Sequence, residues 1–480
     1  MNWITIGIII YCILLLLVCL RILYETHSPT KTMAYLLFCV FVPVFGIGFY
    51  MAFGVNYWRK KRYSKKMGLD VKLLEQMEKL FKGNEAVVRQ KDLGQDDTAE
   101  LATMLIRNLQ SPLTRHNRVK LLLNGEEKFP ELLKALSGAK HHIHLEYYIY
   151  EQDEIGKTII ELLIKKAGEG VQVRFIYDDF GSPSIKKKTE KRLRDAGVEV
   201  FPFYKVHFYL LANRINYRNH RKIVVIDGNT GFVGGINVSD KYINKDKKQL
   251  FWRDTHLRID GPGVYYLQYL FIADWNFCCP GSLKPGAEYL PQNAATKNDT
   301  YIQIAGSGPD SAQPHILFSV LEAINLAREE ILITTPYFIP GDSVLDALRV
   351  AASSGLKVKL LVPGKCDSRI VNAASKAHYE DLLLAGVEIY IYQKGFVHAK
   401  TLVTDGILSM IGTANMDHRS FELNFEVNAI VYDMPFAKKM RTVFFNDLED
   451  AEKLNAELWH KRSFLHKLPE KLARLFSPSL

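Results

Sequence analysis

The chain has no Cys-x-x-Cys pair and no regularly spaced run of cysteines. Cys12, Cys19 and Cys39 lie in apolar stretches near the start, Cys278 and Cys279 are adjacent, and Cys366 stands alone. That pattern excludes a disulfide-stapled fold and a zinc-ribbon site, and it suits a reducing compartment. Charge is also missing over two long stretches, 18 consecutive residues from Trp3 to Leu20 and a second run from Met33 up to Arg59. Each is long enough to cross a hydrocarbon core of ~30 Å at about 1.5 Å per residue. The first run lacks the basic leader and small-x-small site of a cleaved signal peptide, and a second apolar run follows at once. Two membrane-spanning helices are therefore expected over residues 1–58, the second open to kinking at Pro43 and at Gly46-Ile-Gly48.

Acidic residues are the minority charge, 52 against 62 Lys and Arg, and the formal net charge of +10 suits an anionic partner. Charge alone does not choose between nucleic acid and acidic lipid. A hydrophobic content of 48% over 480 residues excludes a disordered chain and allows two to four domains. Six cations fall within eight residues from Arg59 to Lys66, directly after the second apolar run, whereas the loop from Arg21 to Thr32 carries only Arg21 and Lys31 against Glu25. The positive-inside rule places the basic stretch and everything after it in the cytoplasm, with the N-terminus on the same side. Residues 59–115 read as a basic juxtamembrane segment and a polar helical connector, with Leu73, Leu74, Met77, Leu80 and Phe81 at helical spacing.

Two halves that echo one another follow, over 116–290 and 291–480. Each contains His-x-Lys-x-x-x-x-Asp: His220, Lys222 and Asp227 in the first, His398, Lys400 and Asp405 in the second. Both aspartates precede a glycine, and ten residues beyond each stands an asparagine, Asn237 or Asn415. Strand-like runs around 142–150 and 171–177 recur around 331–340 and 356–362, with helix-like segments at 156–168 and 342–354 between them. This β-α-β order implies a mixed sheet sandwiched by helices. The first half carries about 11 extra residues before its motif, among them the apolar run Val206 to Leu211. That insert suits local packing, or a loop that dips into a bilayer or holds an acyl chain.

In a strand, His220 and Lys222 share a face, as do His398 and Lys400. Asp-Gly then turns the chain into a hairpin whose returning strand brings Asn237 or Asn415 back toward the pair. One imidazole does not readily serve as both nucleophile and leaving-group acid. Two halves related by a pseudo-twofold would place two histidines on opposite sides of one phosphorus, with Lys222, Lys400, Asn237 and Asn415 on its non-bridging oxygens. No metal is required. For Asp227 and Asp405, fixing the hairpin competes with a direct catalytic part. His141, His142 and His144 invite a metal reading but have no carboxylate or cysteine at ligand spacing, which leaves strand or pocket lining as the plainer expectation. The tail from Lys461 to Leu480 interleaves leucines with Lys467, Lys471 and Arg474, as in a basic amphipathic helix lying on a membrane or packing on the domain.

The paired motifs resemble the phospholipase D superfamily, and the chain as a whole, with its apolar N-terminus, two halves and two signatures, is similar to the bacterial cardiolipin synthase family within it. The resemblance implies two α-β-α sandwich halves and a phosphohistidine intermediate without a cofactor. His220 and His398 would be the reactive pair, His220 the nucleophile and His398 the acid/base by the superfamily's usual pattern. It further implies that Asp254 and Glu426 orient the histidines, and that the hydroxyl position before each asparagine, Gly235 and Thr413 here, bears on phosphate contact. The implied reaction joins two phosphatidylglycerol molecules into cardiolipin and glycerol at an anionic membrane, with no nucleic acid partner. A hydrolase of the same superfamily and a catalytically silent membrane scaffold are the competing expectations.

Overall fold

The computed structural model describes residues 2–26, 29–42, 44–51, 66, 72–77, 87–88, 98–203, 217–246, 248–279, 283–291, 296 and 298–477. They form two compact units, 1–68 with 206–217 and 69–205 with 218–480. In the first unit, Trp3–Glu25 is a single helix of 23 residues, long and apolar enough to cross a membrane. The second apolar run differs from the expected continuous span. Its helix Pro29–Phe41 stops after 13 residues, a short helix Phe45–Phe49 follows, and Val44 between them has φ 65°, which breaks helical continuity. The structure thus has one helix of spanning length among its described residues. Most of the basic stretch 59–66 and the insert Val206–Leu211 lie outside the described residues.

The second unit is built on one mixed sheet whose two parts repeat. The first half contributes β1 (Leu113–Leu123), β2 (His142–Tyr147), β3 (Gln172–Asp178), β4 (Glu199–Phe203), β5 (Lys222–Ile226), β6 (Thr230–Gly234) and β7 (Thr255–Asp260). The second contributes β8 (Thr300–Ser307), β9 (Glu330–Thr334), β10 (Lys357–Pro363), β11 (Glu388–Tyr392), β12 (Thr401–Thr404), β13 (Leu408–Gly412) and β14 (Glu426–Tyr432). The order across the sheet is β11-β10-β9-β12-β13-β14-β8-β1-β7-β6-β5-β2-β3-β4, with the short strand Ala451–Lys453 added antiparallel at the edge beyond β11; apart from that edge strand the halves mirror one another about the antiparallel β8–β1 contact. Strand β1 begins before position 116, and helix Ala99–Leu109 sends Leu101 and Leu105 into the second half's core, so the polar connector ends as part of the folded unit.

Alternation along the strands makes the sandwich. In β5, Val224 and Ile226 join Phe129, Leu132, Ile159 and Leu163 of two helices on one face. Ile223 and Val225 join Val264, Leu267 and Ile272 of helix Val264–Cys278 on the other. Each motif ends in a tight turn. Asp227 and Gly228 have φ 51° and 70°, Asp405 and Gly406 φ 54° and 61°, and Asn229 N–H and Ile407 N–H close the turns onto Ile226 and Thr404 carbonyls. Two successive positive φ values define a type I′ turn, which Asp-Gly favours and which matches strand twist.

Candidate active site

Two short parallel pairings cross between the halves and position everything else. Phe251–Arg253 of the first half pairs with Gly395–Val397 of the second, and a single bridge joins Asn219 to Phe425. His398 N–H donates to Arg253 O at 2.7 Å and His220 N–H to Phe425 O at 2.9 Å. In each pairing the next residue on one side is a histidine and on the other a carboxylate. Asp254 therefore meets His398, and Glu426 meets His220.

The distances follow. His398 Nδ1 lies 2.6 Å from Asp254 Oδ2, and His220 Nδ1 lies 2.9 Å from both oxygens of Glu426. A carboxylate only accepts, so the proton sits on Nδ1 and Nε2 keeps its lone pair. Each histidine is thus held by a carboxylate from the opposite half. Both carboxylates are fully buried. Burial alone would raise their pKa values, but His398 and Lys400 hold Asp254 low, as His220 and Lys222 do Glu426.

Burial pushes His220 down to about 4 and His398 to about 3, against the opposing pull of their carboxylates. Lys222 adds to the depression of His220, and Lys400 to that of His398. Tyr148 lies edge-on to His220 at 4.8 Å, while Trp252, Phe396 and Tyr242 surround His398 at 5.5–6.0 Å, which accounts for the desolvation. Burial also lowers Lys222 to about 7 and Lys400 to about 8. Lys222 Nζ donates to His220 O at 2.7 Å, and Lys400 Nζ donates to His398 O, so each ammonium stands beside its own histidine. Two neutral imidazoles and two lysines near neutrality make a site that gains from binding an anion, because the anion's charge favours the protonated form of all four.

The asparagines are placed less directly. Asn237 accepts from Ile149 N–H at 3.2 Å and donates to Tyr242 Oη at 2.9 Å. Asn415 donates to Asp417 at 3.0 Å, and its buried Oδ1 has no partner among the described residues. Each Nδ2 retains a second N–H for an acceptor. The aspartates of the motifs bind backbone. Asp227 accepts the N–H groups of Lys140, His141 and His142, and Asp405 those of Arg328, Glu329 and Glu330. Each sits at the turn end of its strand, away from the histidine, and fastens the hairpin to the start of β2 or β9, not joining the reacting groups.

Thr413 also differs from expectation. Its hydroxyl donates to Glu426 and accepts from Val427 N–H, so it tunes the carboxylate. At the matching position in the first half, a Cβ on Gly235 would stand 2.1 Å from Asp254 Oδ1. His142 and His144 are tied through Gln268, at 3.0 and 2.7 Å, and His144 stacks on Phe271, so these imidazoles are spent on a buried polar chain.

Sequence reading missed the polar support beneath the motifs. Arg221 pairs with Asp274 and donates to Glu426 O at 3.3 Å. Lys128, fully buried, donates to Ile236 O at 3.1 Å just before Asn237. A signal existed for Gln268 and Asp274, two of three polar residues, with Asn276, in a helix that is elsewhere apolar and aromatic. Lys128, in a run of charged residues, offered none.

Comparison with known proteins fits this geometry. The model for the cardiolipin synthase, phospholipase D-like domain matches residues 132–256 and 320–448, and that for a phospholipase D-nuclease N-terminal region matches 7–54. The chain is 44% identical over 462 residues to cardiolipin synthase 2 of Bacillus anthracis, covering 96% of this chain and 88% of that one. It is 42% identical over 477 residues to the major cardiolipin synthase of Bacillus subtilis, covering 97% of each. Among solved structures, phosphatidylserine synthase of Haemophilus influenzae superposes with a TM-score of 0.59 at 12% identity, over 79% of this chain and all of that one, a likeness of fold.

Proposed function

The chain belongs to the cardiolipin synthase family and is a phosphatidyltransferase, and on that premise we propose that it makes cardiolipin and glycerol from two molecules of phosphatidylglycerol through a histidine-bound phosphatidyl group. The observation that carries the mechanism is the pair of histidines, each with Nδ1 held by a carboxylate of the other half and Nε2 bearing the lone pair.

In the first step Nε2 of His220 attacks phosphorus, the bond from phosphorus to the departing glycerol oxygen breaks, and His398 gives that oxygen a proton. In the second, the hydroxyl of another phosphatidylglycerol loses its proton to His398, its oxygen attacks phosphorus, and the phosphorus–nitrogen bond breaks. Lys222 and Lys400 with the Nδ2 groups of Asn237 and Asn415 hold the non-bridging oxygens. The negative charge of the bound phosphodiester raises the depressed pKa of His398, which lets it carry the proton. Both the bond broken and the bond made are phosphodiesters, so no nucleotide energy is consumed.

We place the enzyme in the cell membrane, with the second apolar run, broken at Val44, entering the bilayer beside Trp3–Glu25 and the catalytic unit on the cytoplasmic side. The basic stretch from Arg59 to Lys66 supports that orientation. The test is to supply the membrane-embedded protein with phosphatidylglycerol alone. Cardiolipin and glycerol in equal amounts are expected, whereas phosphatidic acid as the main product would mean that water is the acceptor.

A further inference from the structure

Helix Phe464–Arg474 near the C-terminus is docked on the catalytic unit by one side only. Ala473 is buried in a small cluster with Ile339 and Ala374, and Glu470 is held by both terminal guanidinium nitrogens of Arg462, at 2.7 and 2.9 Å. Lys467 is tied to Glu380 at 2.8 Å. The docked side therefore fixes the helix at a defined rotation.

What that rotation turns outward is apolar. Phe464, Leu465, Leu468, Leu472, Leu475 and Phe476 are between 37% and 78% exposed. At about 100° per residue they fall within a single arc of roughly 120°, on the side of the helix away from the docked Ala473 and Glu470. Lys471, exposed, and Arg474 flank the arc on one side, and Lys461 stands just ahead of the helix. The only carboxylate in the helix, Glu470, faces inward onto Arg462. An exposed leucine and phenylalanine stripe with a cationic border and no outward acidic residue complements an anionic bilayer surface, where the rings and leucines enter the acyl boundary and the ammonium groups meet phosphates.

The helix is also linked to the reaction site. Ile339, which packs with Ala473, belongs to the two-residue strand Phe338–Ile339 that pairs with Met416–Asp417, and Asp417 accepts from Asn415. The stripe and the Asn415 side of the active site thus share one wall of the second half.

We infer that the outward face of helix Phe464–Arg474 docks on the surface of an anionic phospholipid bilayer and sets how the catalytic unit meets the membrane. This rests on the lipid-substrate reading above only in taking phosphatidylglycerol as the anionic lipid.

The test uses the full chain made inactive by His220→Ala, with a photoreactive benzophenone amino acid in place of Leu472, reconstituted in vesicles. Because no turnover is needed, the outcome is independent of whether the reaction has been read correctly. The expected result is a phospholipid adduct at position 472 in vesicles of phosphatidylglycerol and phosphatidylcholine, with a yield at least several-fold lower in phosphatidylcholine alone. Adding Lys471→Ser and Arg474→Ser should erase most of that difference. Adducts to a second copy of the protein, no adduct in anionic vesicles, or equal yields on neutral and anionic lipid would each overturn the inference.

Discussion

Nδ1 of His220 lies 2.9 Å from both carboxylate oxygens of Glu426, a residue 206 positions further along the chain and in the other half of the sheet. With His398 and Asp254 linked the opposite way, neither half holds a complete reactive group. Replacing Glu426 by Gln keeps the shape but lets the side chain donate to Nδ1, which favours the wrong tautomer and withdraws the charge that stabilises an imidazolium. Turnover should fall by ~10²–10⁴-fold with the KM for phosphatidylglycerol little changed. Asp254→Asn should do the same, and the double variant should cost far less than the product of the two, since both act in one unit. Steady-state rates on phosphatidylglycerol check this, and an unchanged rate in either single variant would refute the orienting role.

The two carboxylates are not interchangeable, because Thr413 donates to Glu426 while Gly235 leaves room for Asp254. A methyl group at position 235 would meet Asp254 Oδ1 at 2.1 Å, far inside van der Waals contact, and Asp254 would have to leave His398. Gly235→Ala should therefore lose activity at least as severely as Asp254→Asn. Thr413→Ser should retain most of the rate and Thr413→Val should not, because Val fills the space without the hydroxyl. Comparing the Gly235→Ala, Thr413→Ser and Thr413→Val rates decides whether these positions act through the carboxylates.

Much of this was open to sequence reading and some was not, for physical reasons. The run Ile223 to Ile226 between a polar motif and Asp-Gly can only be a buried strand ending in a tight turn, and the structure has that hairpin in both halves. The repeat itself foretold two like halves, each with a mixed sheet. What no local pattern specified is which carboxylate reaches which histidine, because that depends on the parallel pairing of 251–253 with 395–397, a contact between segments with no shared periodicity. The fusion of both halves into one sheet through β1 and β8 is hidden for the same reason. The family resemblance points Thr413 toward phosphate, whereas its hydroxyl is bonded to Glu426, the carboxylate that holds His220, through a contact between strands that the motif does not encode.

Asp227 and Asp405 give a prediction about stability instead of chemistry. Each accepts three backbone N–H bonds at 2.7–3.0 Å. Asparagine tolerates positive φ as aspartate does, so Asp227→Asn and Asp405→Asn leave the turn unstrained and remove mainly the charge. Each should destabilise the catalytic unit by ~1–3 kcal/mol, seen as a Tm lower by a few degrees. The rate per folded molecule should stay close to that of the parent. A rate loss of a hundredfold at unchanged Tm would instead bring the aspartates into proton transfer.

Lys222 and Lys400 titrate at about 7 and about 8, against 10.5 for an ordinary lysine, chiefly because burial disfavours the ammonium. Both ammoniums are present below pH 7, and both are lost as the pH rises through 8. A phosphodiester binds the protonated site, so its affinity should be highest at the acid end of this range and weaken with rising pH, by up to about tenfold per unit once a lysine has titrated. Dibutyl phosphate is a suitable probe because it stays a monoanion throughout and contributes no titration of its own. Its inhibition constant should rise between pH 7 and 9, and binding at pH 8 should take up protons, read as a dependence of the calorimetric heat on the ionisation enthalpy of the buffer. Lys400→Met should weaken binding at pH 7 and flatten the slope above it. A Ki independent of pH from 6 to 9 would mean that neither lysine meets the phosphate oxygens.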